Sequence, residues 1–144
     1  MVAAEAARAP LEILLVEDNP ADVRMTREAL LAVGVGHRLH VVEDGEAALA
    51  FMRRDAGFGE APRPDLVLLD LSLPRMSGHE VLAAMRRLKL EAHVPVVVLT
   101  GSPHERDLAE SFALEADEHI RKPPSLGQLS SELAFALNLA QPAK

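Results

Sequence analysis

Short apolar runs without alternation punctuate the chain, separated by stretches whose apolar residues recur at helical spacing. Glu12-Ile-Leu-Leu-Val-Glu17, Asp65-Leu-Val-Leu-Leu-Asp70 and Pro95-Val-Val-Val-Leu-Thr100 read as strands. Their continuous rather than alternating apolarity is that of strands covered on both faces, as in a parallel sheet. Residues 38–42 and a short segment around Ile120 complete a set of five. Between them lie helix signals. Asn19 can cap a helix whose first residue, Pro20, has no amide to leave unpaired, and Asp22 complements its positive end. Val23, Leu30 and Val33 share one face of that helix, and Gly34 and Gly36 end it. A second helix runs from Asp44 to about Arg54, and the stretch holding Gly57, Gly59, Pro62 and Pro64 is the long loop. Ser77-Gly-His-Glu80 has capping-box spacing and opens a helix striped by Val81, Met85 and Leu88. Ser102-Pro-His-Glu105 repeats the box, and Ser125 opens a last helix with Leu126, Leu129, Leu133, Ala136, Leu137 and Ala140 on one side. Five β-then-α units with buried strands specify an α/β fold, an open sheet with helices on both faces.

Composition narrows the class. A chain of 144 residues suits one domain, and such a domain buries roughly 70% of its unfolded surface. Acids outnumber bases 22 to 15, a formal charge of −7, which argues against nucleic acid as partner because that requires a basic surface. Cysteine is absent, so neither disulfides nor thiolate chemistry are available. Met1 to Pro10 has no apolar core of signal-peptide type, and no apolar run approaches the ~20 residues that span a bilayer. The expectation is a cytoplasmic protein with no membrane contact: a tail over residues 1–10, one domain over 11–140, a tail over 141–144 and no output domain.

Candidate chemistry gathers at one rim. In open α/β sheets ligands sit beyond the carboxyl ends of the strands. The first strand ends in Glu17 and Asp18, the third in Asp70, the fourth in Thr100 and the fifth in Lys122. Three crowded carboxylates repel one another and call for a cation. All-oxygen ligation without His or Cys favours Mg²⁺. With the metal and Lys122 holding two oxygens of an incoming phosphoryl group and Thr100 donating to the third, Asp70 would act as nucleophile. A single Asp at a strand end is ordinarily a turn or cap residue; complementary groups from four strands are hard to read that way.

Glu17-Asp18-Asn19, Leu69-Asp70 with Leu73-Pro74 and Gly78, Leu99-Thr100 and Lys122-Pro123 together resemble the signature of response regulator receiver domains. The likeness spans about residues 11–140. It implies a (βα)5 flavodoxin-like fold, a doubly wound parallel five-stranded sheet of order 2-1-3-4-5. It implies that Asp70 accepts phosphate from a phosphohistidine of a sensor histidine kinase. Asp18, Asp70 and the backbone carbonyl of Ser72 would bind Mg²⁺, with Glu17 acting through water, and the Lys122–Pro123 bond would be cis. The long loop, the Asn19-Pro20-Ala21-Asp22 opening and the lack of an output domain resemble the stand-alone regulators paired with bacterial phytochrome histidine kinases. The receiver would then be enzyme-like only toward itself, promoting its own phosphorylation and dephosphorylation.

Several positions depart from the family pattern. Receivers usually carry Tyr or Phe three residues before the lysine, where this chain has His119. In the family, the counterpart of Thr100 moves toward the phosphoryl group and the ring follows, remodelling the face of the fourth helix, fifth strand and fifth helix. Imidazole is smaller and titrates near pH 6.5, so His119 would couple to this face less tightly or in a pH-dependent way. Its alternative is a half-exposed histidine with no switching role. Ser72 and Ser102 sit where receivers tune water attack, and neither is a strong base. Phe135 and Leu139 form an i, i+4 pair off the buried stripe, a candidate homodimer seam or kinase patch in an aromatic-poor chain. The competing functions are a phosphorylation-independent binding module on the same scaffold and an aspartyl phosphatase. The latter typically needs a second Asp where this chain has Ser72.

Overall fold

A computed structural model describes residues 9–55, 57–88, 93–101, 116–121 and 125–140. Its elements are β1 (Leu11–Val16), α1 (Pro20–Val33), β2 (His37–Val42), α2 (Gly45–Arg53), β3 (Leu66–Asp70), α3 (Gly78–Arg87), β4 (Val96–Thr100), β5 (Glu118–Arg121) and α4 (Leu126–Ala136). A single 3₁₀ turn, Leu137–Leu139, closes the chain's last helix. All strand pairs are parallel, and the sheet order is β2-β1-β3-β4-β5, as the receiver resemblance implies. The crossover between β4 and β5, including the second capping box at Ser102, lies outside the described residues.

Side chains alternate across a strand, and here each parity finds its own core. Leu14, Val16, Val67, Leu69, Val96 and Val98 face α2 and α3. Ile13, Leu15, Leu66, Leu68, Val97, Leu99 and Ile120 face α1 and α4. Both parities of β1, β3 and β4 must therefore be apolar, which is why these strands lack alternation. Burying each such side chain stabilises the fold by about 1.5–3 kcal/mol.

The helix boundaries follow their caps. The Asn19 side chain accepts the amides of Ala21 and Asp22, Asp44 that of Ala47, and Ser125 that of Gln128. Ser77 and Glu80 form the reciprocal capping box. Gly34, with φ of 85°, supplies the left-handed residue that ends α1 and donates its N–H to Leu31 O. Arg54 adopts the same conformation after α2 without glycine's freedom, at φ of 60°.

Two expectations for the last helix need correction. Leu126 is 38% exposed rather than part of the buried stripe, because it is the first helical residue, beyond the reach of the sheet. The α-helix also stops at Ala136 and tightens to 3₁₀ geometry. With about three residues per turn, Leu139 is rotated further from Phe135 than α-helical i, i+4 spacing would place it.

Candidate functional site

Three strand ends deliver the polar residues of the rim. β1 runs into Glu17 and Asp18, β3 terminates in Asp70, and β4 terminates in Thr100. Glu17, Asp70 and Thr100 are 1%, 3% and 3% exposed, buried polar residues at the ends of β1, β3 and β4, while Asp18 faces solvent. One carboxylate oxygen from each of Glu17, Asp18 and Asp70 lies within 4.8 Å of the others. Carboxylates held this close are mutually destabilising unless a cation joins them. The donors are all oxygen and one ligand is open to water, which fits a hard divalent cation. Lys122, and with it the Lys122–Pro123 bond, falls outside the described residues.

The surrounding backbone fixes these acids. The Asn19 N–H donates to Glu17 Oε2 at 3.4 Å, and the Ser72 N–H donates to Asp70 Oδ1 at 3.2 Å, setting the rotation of that carboxylate. The loop from Leu71 to Ser77 folds back beneath Asp70: Gly78 N–H donates to Leu71 O at 3.1 Å. A Cβ on Gly78 would meet Leu71 Cα at 2.6 Å and the Asp70 carbonyl oxygen at 2.7 Å, so the motif glycine is required by close backbone approach. The loop's outer end is tied to α2, where Arg75, at φ of 64°, donates to Asp44 Oδ2 at 2.6 Å. Neither the Arg75–Asp44 tie nor the Asn19–Glu17 bond was legible from sequence. Both depend on loop geometry, and the only signal was that Asp44 and Asn19 are cap residues.

β5 brings the unusual histidine to the same side of the sheet as Thr100. His119 pairs with Val98 and Arg121 with Thr100, so His119 lies on the parity of Val98 and Thr100. Burial holds its imidazole below the usual pKa; His79 on α3 adds to that and Glu118 opposes it. Phe135 and Leu139 lie near the end of the last helix. They are 72% and 37% exposed, so neither takes part in the core.

The chain matches the response regulator receiver domain over residues 13–134. It is 41% identical over 120 residues to "Response regulator Rcp1" of Synechocystis, covering 83% of this chain and 82% of that protein. Among solved structures, the phosphorylated cyanobacterial phytochrome response regulator RcpA is 39% identical, with a TM-score of 0.83 over 94% of this chain and 98% of that one. The Mn²⁺-bound form of Rcp1 is 36% identical, with a TM-score of 0.81 over the same shares. A strand-end acid cluster on a 2-1-3-4-5 sheet, together with these likenesses, makes the chain a member of the response regulator receiver domain family.

Proposed function

We propose that the chain is a stand-alone response regulator of the cytoplasm that accepts a phosphoryl group on Asp70 from the phosphohistidine of a sensor histidine kinase. The supporting observation is the convergence of Glu17, Asp18 and Asp70 within 4.8 Å, with Asp70 buried at the tip of the central strand. A carboxylate oxygen of Asp70 attacks phosphorus, the P–N bond to the donor imidazole breaks, and that imidazole leaves as the neutral base after taking up a proton. Asp18, Asp70 and the Ser72 carbonyl would hold Mg²⁺, with Glu17 reaching it through water. Bound there, the cation would neutralise charge that builds on the transferring oxygens. The Ser72 amide keeps Asp70 from rotating away, Thr100 donates to a phosphoryl oxygen, and Lys122 contributes a positive charge to another.

The kinase is of the bacteriophytochrome type on this reading, supported by the likeness to a phytochrome response regulator over nearly the whole chain. Phosphorylation is reported through Thr100 and His119, whose shared sheet face supports a linked movement. Copies pair through Phe135 and Leu139, a reading supported by their exposure near the end of the last helix. Small phosphodonors should also serve, because the site itself promotes the reaction.

Intact-mass analysis after incubation with acetyl phosphate and Mg²⁺ tests the core of this reading. Wild type gains one phosphoryl mass, and Asp70→Asn gains none. An unmodified wild type would instead favour a phosphorylation-independent binding module. Sedimentation of wild type against Phe135→Ser tests pairing: a monomeric wild type at tens of micromolar removes that part alone.

A further inference from the structure

Asn19 joins the acidic pair to helix α1. Its Oδ1 accepts from the Ala21 N–H at 2.9 Å and the Asp22 N–H at 3.3 Å. Its own N–H donates to Glu17 Oε2, and its carbonyl receives the first helical bond, from Val23 N–H at 3.0 Å. Pro20 supplies no amide, so the amides capped are the first two the helix presents. Asn19 is thus anchored on its helix side through both side chain and carbonyl. Its backbone N–H donates in the other direction, to the Glu17 carboxylate, a residue with 1% exposure. Asp18 is the residue spanning the two anchors, Glu17 buried on one side and Asn19 capped on the other.

We infer that Asn19 is a positioning residue for the metal-binding acids: its cap holds the turn that orients Glu17 and Asp18. The cap therefore sets cation affinity as well as helix stability. This rests on reading the acid cluster as a divalent-cation centre. Removing a group that orients a metal ligand typically weakens binding 10–100-fold. Here the ligands keep their own charges, which places the expected loss at the low end, about tenfold.

The test titrates Mn²⁺ into the full chain by calorimetry and records the melting temperature of each variant. Asn19→Ala removes the acceptor. Asn19→Gly removes it too, with little cost to the helix, which guards against a variant that does not fold. Asn19→Ser restores a cap of similar strength. Ala32→Gly, on the exposed face of α1, destabilises the same helix without touching the turn. The inference expects Asn19→Ala and Asn19→Gly to bind Mn²⁺ about tenfold more weakly, Asn19→Ser to stay within about twofold, and Ala32→Gly to match wild type. Wild-type affinity in Asn19→Ala, or an equal loss in Ala32→Gly or Asn19→Ser, overturns it. A wild type that binds no Mn²⁺ overturns the cation-centre reading instead.

Discussion

The two ends of the sheet treat carboxylates in opposite ways. At the end where the strands stop, Glu17, Asp18 and Asp70 turn oxygens toward one another. At the end where β4 and β5 begin, Asp117 is enclosed by complementary groups. It accepts from Arg86 Nη2 at 2.8 Å, from the Val96 N–H at 2.8 Å, and meets His93 Nε2 at 2.9 Å. Arg86 also donates to Val94 O at 2.9 Å, so one ion pair binds α3 to the starts of both strands. Burial alone would raise the Asp117 pKa; the Val96 amide, His93 and Arg86 outweigh it and hold the carboxyl below its usual 3.8. The second cluster serves the fold, because its charges are matched. The first sets three carboxylates side by side, an arrangement that a divalent cation would join.

Four measurements press on that contrast. Removing the matched acid has the largest effect: Asp117→Ala should cost about 3 kcal/mol in urea unfolding, since it strands the Arg86 guanidinium and the Val96 amide. Gly78→Ala should cost about 2 kcal/mol, because its methyl collides with backbone at Leu71 and Asp70, and phosphoryl uptake should slow with it. Asp70→Asn, in contrast, should stabilise the protein by about 1 kcal/mol without divalent cations, through relief of repulsion, and the gain should shrink when Mg²⁺ is added. A destabilised Asp70→Asn would erase the difference between the two ends.

The smallest effect is in pH. The native pKa of His119 lies below 6.5, so as pH falls through 6.5 the unfolded chain takes up the proton first. The stability linked to His119 is complete above 6.5 and declines as pH drops toward the native value. Asp117 acts in the same direction but in a more acidic window: its contribution is present above 3.8 and is lost as pH falls through its lower native pKa. Between about pH 8 and about pH 5.5 the slope then contains the His119 contribution, and His119→Gln should flatten it. An unchanged slope would show that this imidazole is not linked to folding in that range.

Local rules made most of the framework legible. Unbroken apolar runs mark strands buried on both faces, and Asn19, Asp44, Ser77 and Ser125 all cap the helices they precede. The acids of the rim were legible because topology sends strand ends to one place. The Asp117 cluster was not. Arg86 and Asp117 are 31 residues apart, and a polar pair across two elements leaves no period in the sequence. The same holds for Glu12, which receives Arg38 Nη1 at 3.0 Å and meets His40 Nε2 at 2.8 Å across the β1–β2 ladder. The 3₁₀ close of the last helix escaped for a different reason. Leu137 and Ala140 are buried just as a continuing α-helix would bury them, so the apolar pattern carried no sign of the tighter turn.

The place of β3 has a mechanical consequence. It is the middle strand of five, held by β1 on one edge and β4 on the other. Bending it would break two ladders at once, so its tip behaves as an anvil. Any bulk added at Asp70 must be absorbed by whatever gives more readily, namely β5, a four-residue strand that pairs only with β4 among the described residues.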